Sequence, residues 1–378
     1  MEIYLDNGAT TRVCPEAAEA ALKVMLEDYG NPSSTHRKGR EAKAVLERAR
    51  AQIMAALGAR DGELAFTSGG SESDNWAILE GAEARRRVGR HILSSDAEHD
   101  AVKKTLEAAR QRGWEVTLLP PGADGAVSPE AVREALRPDT ALVSLMLVNN
   151  ETGAITDIPG VRRVMKEAGS RALLHTDAVQ GFLKVPCDPV SWGVDLMSLS
   201  GHKLGGPKGI GALYISPRLR NFRPLLPGGG QEQGLRSGTE ATAQIAGFAK
   251  AVELRLDNYE SKIRHMSDLK ALCLEKLLTI PGVVAVGGGT APHILSVSLP
   301  GYPSGNIVSD LGSQGICISA GSACHKGKSS HVVSALGLPK RTAAGVIRIS
   351  FSPDTTAEDI EAVYQALKNH QAQRCAML

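Results

Sequence analysis

From residue 12 to residue 250, short apolar, β-branched runs alternate with longer segments whose apolar positions recur at helical spacing. Residues 63–67 predict a strand and 74–87 the helix that follows it; 90–94 and 101–112 repeat the pair. Further strands are expected at 115–119, 141–148, 172–176, 196–200 and 211–215, several of them apolar on both faces. Strands of that kind belong to a mostly parallel sheet covered by helices on both sides. Between 239 and 278 the pattern is helical with few breakers, which predicts one long helix or a helix pair leading out of this unit. Strands at 295–299, 316–319 and 346–351, then a helix that starts after the cap-like Thr356 and runs through 366, predict a smaller α/β unit.

The length of 378 residues is enough for roughly two to three domains. Lys and Arg total 43 against 41 Asp and Glu, a net charge of +2, which removes the electrostatic argument for a nucleic-acid or membrane-surface protein. Aromatic residues at 4% are few for a protein that binds single strands by stacking. Forty glycines with 19 prolines and no collagen-like period point to tight turns and close backbone approaches. The start, Met1-Glu2-Ile3-Tyr4-Leu5-Asp6, is acidic where a secretory signal is basic, so the expected compartment is the cytoplasm. No apolar run has the roughly 20 residues that span a bilayer.

Six cysteines, Cys14, Cys187, Cys273, Cys317, Cys324 and Cys375, are scattered without a C-x-x-C pair, so reduced thiols and no metal site are expected. Three motif matches carry no weight. Cys375-Ala376-Met377-Leu378 fits a prenylation signal but lacks a polybasic run. Asn150-Glu151-Thr152 fits a glycan acceptor in a chain with no secretion signal. Gly321 and Gly327-Lys328-Ser329 miss the P-loop spacing by one residue.

Three segments carry chemistry. In Thr67-Ser68-Gly69-Gly70-Ser71-Glu72-Ser73-Asp74 a strand enters a Gly/Ser turn and then a helix, whose unpaired N–H groups form either an anion site or an ordinary capped turn. Ser198-Leu199-Ser200-Gly201-His202-Lys203-Leu204-Gly205-Gly206-Pro207-Lys208-Gly209 places Lys203 directly after a strand in a Gly-rich turn. Such a lysine is either solvated or, if desolvated, lowered in pKa and able to form a Schiff base. His175-Thr176-Asp177-Ala178-Val179-Gln180 puts Asp177 at a strand end, as a helix cap or as a partner for a protonated pyridine nitrogen.

Together with Glu98-His99, Asn149-Asn150-Glu151-Thr152-Gly153, Arg236-Ser237-Gly238-Thr239 and Gly321-Ser322-Ala323-Cys324, these motifs resemble the cysteine desulfurases. The resemblance runs from Tyr4-Leu5-Asp6-Asn7 to Arg348-Ile349-Ser350, with the motifs in the family's order. It implies a class V aminotransferase of fold type I, dependent on pyridoxal phosphate, with a large domain on a mostly parallel seven-stranded sheet and a smaller C-terminal α/β domain. The implied division is 14–252 for the large, cofactor-binding domain, and 1–13 with 253–378 for the small domain that carries the Cys324 loop.

By that resemblance Lys203 holds the cofactor and moves the Cα proton, and Asp177 keeps the pyridine nitrogen protonated. His99 stacks on the ring and assists proton transfer. Gln180 and Asn150 contact the ring oxygen. Gly70, Ser71, Ser200 and His202 hold the phosphate, with Thr239 reaching it from a partner subunit, which implies a homodimer. Arg348 clamps the substrate carboxylate, with Asn7 and Asn150 also at the substrate. Cys324 is the nucleophile that takes sulfur from L-cysteine, leaving alanine and a persulfide for an acceptor in Fe–S cluster assembly or thiolation; His325, Lys326 and Lys328 favour its thiolate. Gly8, Arg12 and Asp100 depart from the family's usual residues, and the segment after Cys324 is short and basic, which leaves the acceptor open. The competing readings are a selenocysteine lyase or another class V reaction, and a catalytically silent sulfur-transfer scaffold.

Overall fold

A computed structural model describes residues 2–219, 222–321 and 330–373. A short strand, β1 (Ile3–Tyr4), precedes two helices, Pro15–Leu26 and Arg37–Ala56. Seven strands then build one sheet: β2 (Glu63–Thr67), β3 (His91–Ser95), β4 (Glu115–Leu119), β5 (Thr140–Ser144), β6 (Leu173–Asp177), β7 (Leu196–Ser200) and β8 (Gly211–Ile215). Their order is β2-β8-β7-β6-β5-β3-β4; β8 runs antiparallel to both neighbours and every other pairing is parallel. The sheet is therefore mostly parallel, as its apolar runs predict.

Adjacent side chains of a strand point to opposite faces, and here both faces are buried. Leu142, Leu173 and Leu196 pack with Trp76 and Leu106 from the helices Gly70–Ala84 and Asp100–Gln111. Their neighbours Val143, Leu174 and Met197 pack on the other side with Ile53, Val161 and Phe248, from Arg37–Ala56, Ile158–Glu167 and Thr242–Leu256. Burying one such side chain contributes about 1.5–3 kcal/mol, so the double covering is what holds the strand ends in place.

The apolar run at 141–148 is longer than the strand it forms. Past Ser144 the chain still bonds β6, through Leu145 N to His175 O (3.1 Å) and Leu147 N to Asp177 O (2.9 Å), but Met146 N turns to Glu98 Oε1 (3.1 Å). The helix after β2 starts at Gly70, earlier than its apolar spacing indicates, because Gly and Ser are tolerated in a first turn that makes few backbone bonds. The stretch 239–278 is two helices, Thr242–Leu256 and Tyr259–Leu278, broken at Asn258 with φ +50°, a conformation that Asn adopts more readily than most residues.

The rest of the chain forms β9 (Val284–Ala285), β10 (Ile294–Ser298), β11 (Ile316–Cys317), β12 (Ser319–Ala320) and β13 (Val346–Ser350). The antiparallel sheet β12-β13-β10-β9 packs Leu295, Val297, Ile347 and Ile349 against Cys273, Leu277 and Val363 of the helices Tyr259–Leu278 and Ala357–Gln373. The run 316–319 divides at Ile318, since β11 pairs in parallel with β1 and β12 pairs with β13. Leu5 sits in this second core and Asp6 bridges Ser350, so the N-terminus is stitched to the C-terminal sheet. Among the described residues Cys14, Cys187, Cys273 and Cys317 are unpaired, and no helix is long and apolar enough to cross a membrane.

Candidate active site

The strands carry their polar residues at one edge. β2 leads into Ser68, Gly69 and the helix Gly70–Ala84; β3 into Glu98 and His99; β5 toward Asn149 and Asn150; β6 ends on Asp177; β7 ends on Ser200 before the single turn Gly201–Lys203. In open α/β sheets this carboxyl edge is where ligands bind, because strand ends and helix N-termini converge there.

Lys203 occupies its centre. Its Nζ donates to Gly8 O and Ala9 O, each at 2.6 Å. Burial, with Arg348 nearby, pushes its amine down to about 8 against the opposing pull of Asp177 and Asp6. An amine lowered this far exposes a nucleophilic lone pair near neutral pH, when an ordinary lysine is almost wholly protonated.

Asp177 caps no helix. It is buried, and its Oδ1 accepts from Val179 N at 2.9 Å within a turn. Burial raises its carboxyl above the ordinary value, while His99 and Lys203 hold it down. Behind it, His175 shares hydrogen bonds with Ser144 Oγ (2.9 Å) and Ser198 Oγ (3.0 Å), and burial depresses it to about 3, so its ring is neutral. His99 is exposed at the start of the helix Asp100–Gln111, and its Nδ1 accepts from Ala101 N (3.1 Å).

An anion cradle adjoins the lysine. A cavity of about 360 Å³ is lined by Thr10, Gly70, Ser71, Ser200, His202 and Lys208, among others. The helix above it has Gly69 at its N-cap, which offers no side chain to the free N–H groups. Gly70 must lack a side chain, since a Cβ there would lie 2.7 Å from Val179 Cγ2. Ser200 Oγ is buried and unpartnered among the described residues. His202 shares a hydrogen bond with Thr10 Oγ1 (3.1 Å), and burial beside Lys203 depresses it to about 4, so its ring is neutral. Lys208 and Thr10 escaped the sequence reading, although Lys208 stands in the same Gly-rich loop as Lys203. Thr239 is exposed and is not among the residues lining this cavity.

On the other side, Arg348 of β13 donates from Nη1 to Asn150 O (2.8 Å) and from Nη2 to Asp6 Oδ1 (2.8 Å) and Ser319 Oγ (3.1 Å). Its Nε and Asn150 Oδ1 are buried and unpartnered among the described residues. Asp6 was also missed from sequence, though it lies inside the N-terminal motif. Asn7 is turned to the backbone, with Nδ2 donating to Tyr4 O (3.2 Å) and Ser350 O (3.1 Å). A Cβ on Gly8 would lie 3.1 Å from Arg348 Cζ and Nε, so the departure at this position makes room for the guanidinium. Gln180 Nε2 donates to Gly8 O (2.8 Å), the carbonyl that also accepts Lys203.

Cys324, with His325, Lys326 and Lys328, lies outside the described residues. The chain on either side is anchored close to the site: Gly321 N donates to Val346 O (2.9 Å), Ser330 Oγ to Glu151 Oε1 (2.7 Å) and His331 Nε2 to Glu98 O (2.8 Å).

Residues 3–363 match the aminotransferase class-V family. The chain belongs to that family. Among its relatives, the cysteine desulfurase IscS of Methanosarcina thermophila is 41% identical over 369 residues, 97% of this chain and 91% of that protein. A solved NifS-like protein matches with a TM-score of 0.92 at 34% identity, over 99% of this chain and 100% of that one. The structure of SspA in complex with cysteine matches with a TM-score of 0.80 at 34% identity, over 94% of this chain and 100% of that one. This class-V protein thus stands among the cysteine desulfurases, and its mostly parallel seven-stranded sheet with covering helices is that of a fold type I enzyme.

Proposed function

We propose that the chain is a pyridoxal-phosphate-dependent cysteine desulfurase that converts L-cysteine to L-alanine and holds the sulfur as a persulfide on Cys324 for an acceptor protein in Fe–S cluster assembly or thiolation. It acts as a cytoplasmic homodimer. The observation that carries the reading is Lys203, a half-buried amine held by Gly8 O and Ala9 O and lowered to about 8, between an anion cradle and a guanidinium whose Nε is unpartnered among the described residues.

The residues present fit the cofactor. The unpartnered Ser200 Oγ, the uncapped helix start at Gly70 and Ser71, and neutral His202 suit a phosphate. Thr239, exposed and off its own chain's cavity, suits a contact from the partner subunit. Lys203 suits a carbonyl carbon, and Asp177 a protonated ring nitrogen. When bound, pyridoxal phosphate supplies an electron-withdrawing ring for the substrate's Cα. His99, Asn150 with its unpartnered Oδ1, and Gln180, bonded to Gly8 O, would hold the ring.

Arg348 takes the substrate carboxylate with Nε and a terminal nitrogen, Asp6 yielding part of its claim. Lys203 Nζ removes the proton from Cα and later returns one. Cys324 Sγ, as thiolate, attacks the substrate sulfur: an S–S bond forms, the C–S bond breaks, and its electron pair stays with the carbon, which is protonated to give alanine. The test is incubation with L-cysteine and a thiol reductant, quantifying alanine, sulfide and pyruvate for wild type, Lys203→Ala and Cys324→Ala. Equal alanine and sulfide, lost in both variants, are expected. Pyruvate in place of alanine, or alanine that survives loss of Cys324, overturns the reaction as written.

A further inference from the structure

A second lysine lies beneath the site. Lys184 is 2% exposed, and its Nζ donates to Gln180 Oε1 at 3.3 Å, with no ion pair among the described residues. The titratable groups near it, Arg255, Lys203, Arg348, His202 and His293, are all of basic type. Burial, with the positive charge of Arg255 and Arg348, pushes the Lys184 amine well below the ordinary lysine value. Gln180 Oε1 also accepts from His293 Nε2 at 3.3 Å. These two contacts orient the Gln180 amide by its oxygen. Its Nε2 therefore faces Gly8 O at 2.8 Å, where Lys203 Nζ also donates at 2.6 Å.

We infer that Lys184 is a positioning residue: by donating to Gln180 Oε1 it orients the Gln180 amide so that the N–H, and not the carbonyl, meets Gly8 O beside Lys203. A carbonyl already occupied by the Gln180 N–H stabilises a Lys203 ammonium less, so this orientation favours the nucleophilic form of Lys203. A turned amide would set two acceptor oxygens face to face and draw the Lys203 ammonium between them. This rests on the reading of Lys203 as the reactive amine.

The test is reductive methylation of the full-length protein, freed of any bound aldehyde, with formaldehyde and cyanoborohydride across pH. Mass spectrometry of the Lys203 peptide gives that residue's midpoint without any reaction of the loaded enzyme. Arg348, Asp177 and Asp6 act on Lys203, with His202, His293 and Lys184 also near it, and all but the substituted residue are shared by wild type and variants. Wild type is expected near 8. Lys184→Met moves the midpoint up by about half a unit or more, which is roughly threefold slower labelling at pH 7. Lys184→Gln, whose amide still donates to Gln180 Oε1, stays with wild type. Gln180→Leu shifts as Lys184→Met does, and carries the test if Lys184→Met does not fold. The proposal is overturned if neither Lys184 variant shifts, because the residue then only fills space, or if both shift equally, because it then acts through charge. A wild-type Lys203 with an ordinary lysine midpoint overturns the reactive-amine reading, and this inference with it.

Discussion

Replacing Arg348 by lysine separates charge from geometry. The guanidinium makes three hydrogen bonds to three segments of the chain and keeps Nε buried and unpartnered among the described residues. A buried donor without a partner is unfavourable unless a ligand supplies the acceptor. Lysine keeps the positive charge but presents a point donor, so it can hold Asn150 O or Asp6, or meet a carboxylate, and cannot do all of these in one plane. The substrate then loses about one charge-assisted hydrogen bond, on the order of 1.5–3 kcal/mol. At 1.4 kcal/mol per decade this is roughly a 10- to 150-fold fall in kcat/KM for L-cysteine, carried mostly by KM. Steady-state alanine formation over a range of cysteine concentrations measures it, with cofactor content and Tm as controls. An Arg348→Lys enzyme whose KM stays within twofold of wild type, at normal cofactor content, would refute the carboxylate assignment.

Three further outcomes follow from burial. Glu98 is held protonated up to about 8, mainly by burial, whereas its unfolded form ionises near 4.5. The folded state therefore binds the extra proton in that window, and its stability declines as pH rises from about 4.5 to about 8. Glu98→Gln removes this component, so its Tm drops less than that of wild type between pH 6 and pH 8; parallel Tm curves count against the assignment. Arg50→Met strands Glu232, whose Oε2 accepts from Arg50 Nη1 (2.7 Å) and Phe66 N (2.8 Å), and urea unfolding should register a loss of about 3–5 kcal/mol. That loss should be partly recovered by adding Glu232→Gln. Gly70→Ala drives a methyl into Val179, and the cofactor retained per chain after dialysis should fall severalfold while the fold persists; undiminished retention argues against Gly70 as the cradle floor.

Much of this was legible from residue order because the sheet is buried on both sides. An apolar five-residue strand such as β7, ending in Ser198 and Ser200, announces both its core position and its polar edge. The limits are equally physical. Leu145 to Val148 looks like strand because it is buried, yet Met146 is claimed by Glu98 across a sequence gap that no local pattern reveals. Asp6 and Gly8 serve the site through Arg348 and Lys203, partners far along the chain, and nothing in their local spacing marks that role. Asn7 was placed at the substrate on resemblance, and its local spacing does not show that its amide nitrogen braces β13. Lys184 reads as an unremarkable charge in a loop, since only its surroundings show that it has no acid to answer it.

The stitching of the N-terminus to the C-terminal sheet sets an order of assembly. All seven strands of the large sheet have been synthesised by Ile215, and they can close on their helices while the rest of the chain is still being made. The two carbonyls that hold the Lys203 amine come from residues 8 and 9. Those residues acquire their place only when Leu5 and Asp6 meet β11 and β13, as with Ser350 N to Leu5 O at 2.7 Å. Leu5 and Asp6 therefore wait for β11 and β13, made long after the large sheet, before they take up their positions. A chain that stops before β11 would have the scaffold and the lysine but not the clasp around it, so reactivity at Lys203 is acquired only once β13 has been made.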